Sequence, residues 1–220
     1  MTFMEEVLQA ARPVWDRCLE TPFLRELRDG TLAIERFRRY MIQDSMYLKH
    51  YARMFGWAVY HAASLEEIRL FYRGMGFVTE RESAVRLSWL AEWGLTDVDV
   101  EEMDVLPENL AYIAFLETAA RQEDMAYMLM AILPCMLSYS YIFRKTAAEC
   151  TDSVYRDFIA DYAEDAYAQE CEDWTAFAQA RCAGLSEERR RELRAVFEKG
   201  SLLELAFWEM AYGDWERRGK

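Results

Sequence analysis

Histidine, glycine and proline are scarce in this sequence, and each shortage excludes a class of structure or chemistry. The 220 residues include two histidines, His50 and His61, and neither lies in a Glu-x-x-His motif. A di-iron helical bundle built on two such motifs is therefore excluded. A haem held by a histidine near the N-terminus is also disfavoured, because no histidine precedes His50. Nine glycines and four prolines are too few for a collagen-like chain or a loop-rich all-β fold.

Motifs for metal binding and for common nucleophilic catalysis are missing as well. The five cysteines contain no Cys-x-x-Cys pair, so neither a zinc site nor a thioredoxin-like site is indicated. The sequence has no Gly-x-Ser-x-Gly elbow of a serine hydrolase and no glycine-rich phosphate loop. An odd number of cysteines without a signal peptide predicts reduced thiols and a cytoplasmic protein.

Positive charge is in deficit. Twenty-six Lys and Arg residues stand against 39 Asp and Glu residues, which gives a formal net charge of −13. Because such a surface repels phosphate backbones and anionic lipids, we expect no nucleic-acid partner and no membrane partner. Residues 126–143 carry no charge but contain Pro134, Ser138 and Ser140. We interpret this segment as the central helix of a soluble bundle.

Long stretches without glycine or proline predict helices. Residues 31–55 and 135–183 contain neither residue, and apolar side chains recur three and four positions apart. Residues 1–220 are therefore predicted to form a single all-α domain. The predicted helices span residues 3–19, 22–29, 34–62, 64–73, 79–93, 108–121, 123–148, 152–162, 164–183 and 186–216. We expect an acidic connector at 96–106, a break or kink at residues 74–76 and an interruption near Gly200.

A carboxylate lies among tyrosines on one face of the 34–62 helix. Tyr40, Asp44, Tyr47 and Tyr51 follow one another at spacings of four, three and four, which places them on the same face. A buried and unpaired carboxylate is costly, so Asp44 requires a hydrogen-bond partner. That partner is either a core tyrosine or arginine, or a polar ligand.

Cys135 and Glu204 are the other candidates for chemistry. Cys135 shares a helix face with Tyr139, and it is either a small core residue or a nucleophile that the fold activates. Glu204 shares a face with Phe207, and it is either a rim salt bridge or a general acid against aromatic rings. Tyr112 and Tyr162 are either core aromatics or donors into a pocket.

Four segments together resemble the TenA family, the thiaminase II or aminopyrimidine aminohydrolase group. Residues 21–44 read TPFLRELRDGTLAIERFRRYMIQD, like the short helix, Asp-Gly-Thr-Leu turn and Gln-Asp helix of that family. Leu-Pro-Cys at 133–135 with Tyr139 resembles its nucleophile helix, and residues 155–162 resemble its Tyr-x-x-Trp-Ile-x-x-x-Tyr segment. Glu204 followed by Phe-Trp-Glu-Met-Ala at 207–211 resembles its C-terminal helix.

The resemblance implies a haem-oxygenase-like multi-helix bundle that binds no haem and assembles as a homotetramer. It implies hydrolysis of 4-amino-5-aminomethyl-2-methylpyrimidine, of thiamin, or of both, to 4-amino-5-hydroxymethyl-2-methylpyrimidine in thiamin salvage. It also implies that the reaction needs neither a metal nor an organic cofactor. Cys135 would be the nucleophile and Glu204 the acid–base residue. The implied substrate-binding residues are Asp44, Tyr47, Tyr112, Tyr139, Tyr162 and Phe207.

Some positions depart from the family pattern. Ser45 stands where an aromatic residue is common, Phe158 stands where tryptophan is usual, and Lys49 and His50 follow Tyr47. Since pocket walls set specificity, these positions leave the exact substrate open. The alternatives are a bundle acting on another amine and a non-catalytic pyrimidine-binding or regulatory protein. An oxidase resembling pyrroloquinoline-quinone synthase is disfavoured, because that chemistry relies on pocket histidines.

Overall fold

A computed structural model describes residues 1–150 and 153–213, apart from the side chains of residues 80–84. The described chain folds into eleven α-helices and one π-helical turn, Phe77–Arg81. The helices are α1 (Phe3–Leu19), α2 (Pro22–Arg28), α3 (Ile34–His61), α4 (Leu65–Gly76), α5 (Glu82–Glu92), α6 (Asp97–Glu101), α7 (Pro107–Ala120), α8 (Met125–Glu149), α9 (Arg156–Ala163), α10 (Asp165–Cys182) and α11 (Glu187–Tyr212). The predicted all-α fold is confirmed.

Local signals in the sequence set several helix boundaries. The Thr2 side chain accepts a hydrogen bond from the Glu5 backbone N–H, and the Glu5 carboxylate accepts one from the Thr2 N–H. This reciprocal capping box begins α1. Gly30, after α2, and Gly94, after α5, have φ values of 70° and 68°, which favour glycine and end those helices.

Helix α8 forms the centre of the bundle. Among the described residues it is the one helix that is long and apolar enough to cross a membrane, yet 83% of its apolar window is buried in the protein. Helices α1, α9, α10 and α11 pack around it. One main hydrophobic core extends from Phe3 to Ala211. The uncharged segment is thus the buried core helix that its composition predicted.

Three local predictions were wrong. Residues 97–101 of the acidic connector form α6, whose capping box joins Thr96 and Asp99. The break expected at residues 74–76 does not occur, since α4 continues to Gly76 and passes directly into the π-helical turn; the kink that was its alternative stays a prediction. Helix α11 runs unbroken through Gly200. The helix predicted from residue 152 begins later, at Arg156, because residues 154–155 form a turn. Residue 152 itself and the predicted end at 216 lie outside the described residues.

Aromatic rings pack helices α3, α8, α9 and α11 against one another. Tyr40 of α3 stacks on Trp208 of α11, with ring centroids 5.2 Å apart and planes 10° apart. Tyr139 of α8 lies 5.3 Å from Trp208 and 5.0 Å from Tyr162 of α9. Such ring pairs add about 0.5–1.5 kcal/mol beyond the area that they bury. Four helices are therefore fixed relative to one another around one aromatic cluster.

Candidate active site

Five helices bring all eight predicted site residues into the same part of the core. Helix α3 contributes Asp44 and Tyr47, α7 Tyr112, α8 Cys135 and Tyr139, α9 Tyr162, and α11 Glu204 and Phe207. All eight are buried, and Cys135 is the most exposed of them at 8%. We call this group the Cys135–Glu204 cluster.

Glu204 is held by a tyrosine from a different helix. The Tyr112 hydroxyl donates a hydrogen bond of 2.6 Å to Glu204 Oε1. The Glu204 side chain faces inward, while Glu209, five positions later on α11, is exposed, as the helical spacing predicts. A buried carboxyl with a phenolic donor is suited to exchanging a proton with a bound molecule.

Cys135 and Glu204 both contribute to the raised pKa values of the same three tyrosines. Burial raises the pKa values of the Tyr47, Tyr112 and Tyr139 phenols well above their usual range, and negative charge on both groups raises them further. These three phenols therefore stay protonated and able to donate hydrogen bonds at neutral pH.

Asp44 lies on the Tyr139 side of the cluster. Its charge contributes to the raised pKa of the Tyr139 phenol, whose main cause is burial. The Tyr139 hydroxyl lies 2.7 Å from the Tyr40 hydroxyl, and either oxygen can donate. The prediction that Asp44 shares a buried face of α3 with Tyr40, Tyr47 and Tyr51 is thus correct.

Aromatic rings close the sides of the cluster. The Phe207 ring lies 6.0 Å from both Tyr40 and Tyr47, and Tyr47 lies 4.6 Å from Tyr112. The Tyr47 hydroxyl lies beside that of Tyr112, and a hydrogen bond between them opposes the larger effect of burial on the Tyr112 pKa. The cluster therefore offers flat apolar walls that suit a heteroaromatic ligand.

Three of the other cysteines are buried in the core. Burial raises the pKa of Cys171 to about 12 and that of Cys182 to about 11. Burial, with a contribution from the nearby Glu204 charge, also raises the pKa of Cys18. These thiols are protonated at neutral pH and are poor nucleophiles.

Ser45, Lys49 and His50, which depart from the family pattern near Asp44, contact residues outside the Cys135–Glu204 cluster. The Ser45 hydroxyl donates to the Met41 carbonyl and accepts from Arg86. Lys49 lies 3.3 Å from Glu101, and His50 lies 3.5 Å from Glu117. These contacts turn all three side chains toward α5, α6 and α7. Their effect on specificity stays a prediction.

Two tyrosines that the sequence analysis did not assign to the site contact it. Tyr40 pairs with Tyr139, and the Tyr51 hydroxyl donates to the Ile132 carbonyl, 3.1 Å away and one turn before Cys135. The signal for both was their spacing on one helix face, since Tyr40 lies four residues before Asp44 and Tyr51 four residues after Tyr47. Among the described residues, no group of three or more His, Cys, Asp or Glu side chains could hold a metal ion.

Relatives with curated names match the full length of the chain. A 26% identical protein of Halalkalibacterium halodurans, matched over 100% of both chains, is named aminopyrimidine aminohydrolase. A protein of Bacillus subtilis with the same name is 27% identical over 96% of this chain and 90% of its own.

Solved structures agree with the fold. A crystal structure described as a TenA family transcription regulator from Silicibacter sp. TM1040 has a TM-score of 0.86 and 26% identity, and covers 95% of this chain and 96% of its own. A Shewanella denitrificans domain described as having a heme oxygenase-like fold has a TM-score of 0.72 and 17% identity, and covers 97% of this chain and 92% of its own. The predicted haem-oxygenase-like bundle is therefore confirmed. The model of the TENA/THI-4/PQQC family matches residues 8–214, and the chain belongs to that family.

Proposed function

We propose that this protein hydrolyses a thiamin-related 4-aminopyrimidine and releases 4-amino-5-hydroxymethyl-2-methylpyrimidine. The proposed substrates are 4-amino-5-aminomethyl-2-methylpyrimidine, thiamin, or both. Full-length relatives named aminopyrimidine aminohydrolase identify the chain as an enzyme. The observation that carries the proposal is the buried Glu204 carboxylate, which Tyr112 of another helix holds at 2.6 Å in the same aromatic core that buries Cys135.

The chemistry follows from the side chains in the Cys135–Glu204 cluster. The Cys135 thiolate adds to a ring carbon while Glu204 delivers a proton to a ring nitrogen, which interrupts the aromaticity of the ring. Electrons then move toward the exocyclic CH₂ group and expel ammonia from the protonated amine, or the neutral thiazole from thiamin. Water adds to that CH₂ carbon and loses a proton to solvent. The ring nitrogen returns its proton to Glu204 as the Cys135 thiolate leaves, so aromaticity and both side chains are restored and the net reaction is hydrolysis.

The remaining residues of the cluster bind and orient the ring in this proposal. Asp44 accepts a hydrogen bond from the exocyclic amine, and Tyr47 and Phe207 form the aromatic walls. Tyr139 and Tyr162 place the ring against Cys135. Tyr112 holds the Glu204 carboxyl through its 2.6 Å hydrogen bond. Flat walls and a few directed polar groups suit a small heteroaromatic molecule.

A product assay tests the proposed reaction. The purified protein receives thiamin and the aminomethylpyrimidine in separate tubes, with a chelator and no added metal, and mass spectrometry follows the products. We expect the hydroxymethylpyrimidine in at least one tube, and the faster tube identifies the preferred substrate. If neither substrate is converted by the folded protein, the proposed function is wrong.

Alkylation tests the assignment of Cys135 as the nucleophile. We expect iodoacetamide to modify Cys135 faster than Cys18, Cys171 or Cys182, because burial raises the pKa of each of those three thiols. A bound pyrimidine should slow labelling at Cys135 alone. Peptide mass spectrometry over time measures both effects, and half-buried Cys150 serves as the internal reference. Equal labelling that no ligand changes would contradict the assignment.

Substituting Asp44 tests its role in binding. Asp44→Asn keeps the size of the side chain but replaces one acceptor oxygen with a donor facing the substrate amine. We expect binding to weaken by roughly 1–3 kcal/mol, the cost of a mis-paired buried polar group. Calorimetric titration of the pyrimidine measures it, and Glu35→Gln, at the exposed start of the same helix, is the control. An unchanged dissociation constant would place Asp44 outside the binding site.

A second candidate is a regulatory protein that binds a pyrimidine without converting it. The description of the Silicibacter structure as a transcription regulator favours it. That protein would keep Asp44 and the tyrosines but would not use Cys135, so the product assay separates the two.

We also propose that the protein works in the cytoplasm and assembles as a homotetramer. In this proposal it needs no cofactor and has no nucleic-acid or membrane partner. Light scattering measures the mass of the assembly and so tests the homotetramer.

A further inference from the structure

Helices α8 and α11 approach very closely where Gly200 lies against Pro134. A Cβ atom placed on Gly200 would lie 2.6 Å from Pro134 Cγ, 3.1 Å from Pro134 Cβ and 3.6 Å from the Ala131 carbonyl oxygen. Carbon atoms that are not bonded to each other prefer separations of about 3.5–4.0 Å. The two helices therefore reach this separation only because residue 200 has no side chain.

This contact lies directly beside the two proposed catalytic residues. Pro134 immediately precedes Cys135 on α8. Gly200 lies four residues before Glu204 on α11, and residues at this spacing share one face of a helix. The close contact between the two helices therefore lies within about one turn of both residues.

Helix α8 lacks one of its own hydrogen bonds at this point. Pro134 has no backbone N–H, so it cannot donate to the carbonyl four positions earlier. Three hydroxyls donate to nearby carbonyls of α8, each at 3.1 Å: Tyr51 to Ile132, Ser138 to Cys135, and Tyr167 to Met136. The close approach of Gly200 falls on this stretch of the helix.

We infer that Gly200 is a positioning residue for the reaction. Its missing side chain fixes the separation of α8 and α11, and thereby the distance between nucleophile and acid–base residue. The inference rests on the proposed function, but it concerns a residue that touches neither the substrate nor the reacting atoms.

The test is the Gly200→Ala variant. Its methyl group forces the helices apart, and a displacement of about 1 Å costs about 100-fold in rate when reacting groups must be aligned. We expect kcat to fall on that scale. We expect KM to change less than kcat, because Asp44 and Tyr47 of α3 and Tyr162 of α9 lie on helices that the new methyl group does not strike. Steady-state kinetics on the folded protein gives both values.

Two other glycines provide matched controls. A Cβ on Gly74 would lie 2.6 Å from Phe55 Cε1 and 2.8 Å from Trp174 Cζ2, and these atoms belong to no residue of the Cys135–Glu204 cluster. Gly74→Ala should therefore lower the melting temperature without lowering kcat. A Cβ on Gly76 would meet no atom within 4 Å, so Gly76→Ala should keep kcat and raise the melting temperature slightly, because glycine costs about 1 kcal/mol in a helix. The comparison separates positioning from a general loss of stability.

A second substitution should rescue the first. Pro134→Ala removes the Cγ atom that the methyl group of Ala at position 200 would strike. The nearest remaining atom to that methyl group is then the Cβ atom of residue 134, at 3.1 Å. Combined with Gly200→Ala, it should bring kcat to within about threefold of Pro134→Ala alone, since the two sites are coupled through this contact. If Gly200→Ala does not fold by itself, this pair of variants carries the test.

The outcomes distinguish the inference from the proposed function. If Gly200→Ala keeps the wild-type kcat, or if a folded double variant has a kcat 100-fold below that of Pro134→Ala, the inference is wrong and the function stands. If the wild-type protein converts neither substrate, the proposed function is wrong and the inference falls with it. A 100-fold loss with rescue supports both.

Discussion

Replacing Cys135 with serine is expected to abolish turnover while the pyrimidine still binds. A serine hydroxyl has nearly the size of the thiol but is not ionised at neutral pH, so it cannot add to the ring. We expect kcat to fall by about 10⁴-fold or more, the scale for loss of a catalytic nucleophile. The dissociation constant should change little, because the proposed binding contacts belong to Asp44 and the tyrosines. Single-turnover kinetics and calorimetric titration measure the two quantities.

Cys182→Ser is the matched control for this variant. Cys182 is also buried, but it lies at the end of α10 and outside the Cys135–Glu204 cluster. This control should keep its turnover even if the protein becomes less stable. Undiminished turnover in Cys135→Ser would remove Cys135 from the mechanism, and loss of binding together with turnover would make its role structural.

Replacing Glu204 with glutamine is expected to give the second largest loss. The glutamine oxygen can still accept the hydrogen bond that Tyr112 now donates over 2.6 Å, so the packing of the cluster should be kept. The amide cannot deliver a proton to the ring or take one from water. We expect kcat to fall by about 10²–10⁴-fold, the usual contribution of a general acid or base. The limb of the pH–rate profile that belongs to Glu204 should disappear.

Glu209→Gln is the control on the same helix. Glu209 is exposed, and the substitution makes the same change in charge outside the core. Its kcat and pH–rate profile should match those of the wild-type protein. If Glu204→Gln keeps both the rate and the shape of the wild-type profile, Glu204 does not transfer the proton.

Helical spacing was sufficient to predict which side chains of one helix face the site. Asp44 and Tyr47 of α3, and Glu204 and Phe207 of α11, face inward as their spacing of three predicted. The short helix α6 also had a signal, because Thr96 and Asp99 have capping-box spacing. Contacts within one turn of helix are thus readable from the sequence.

Contacts between distant helices were not readable in this way. Tyr40 and Tyr139 are 99 positions apart, and no local pattern pairs their hydroxyls. We expected an interruption of α11 at Gly200, because glycine costs about 1 kcal/mol in a helix. The prediction was wrong because the close approach of Pro134 requires a residue without a side chain at that position. The helix preference of a single residue says nothing of its tertiary neighbour.

The spread of the proposed site over five helices would make catalysis depend on the whole fold. The contributing side chains extend from Asp44 to Phe207, and none of the five helices holds more than two of them. No proteolytic fragment that lacks one of these helices can carry a complete set. A surface substitution that loosens the packing of any one of these helices would also shift the side chains of the proposed site and lower the rate. Activity during denaturant titration therefore reports the native tertiary structure as directly as spectroscopy does.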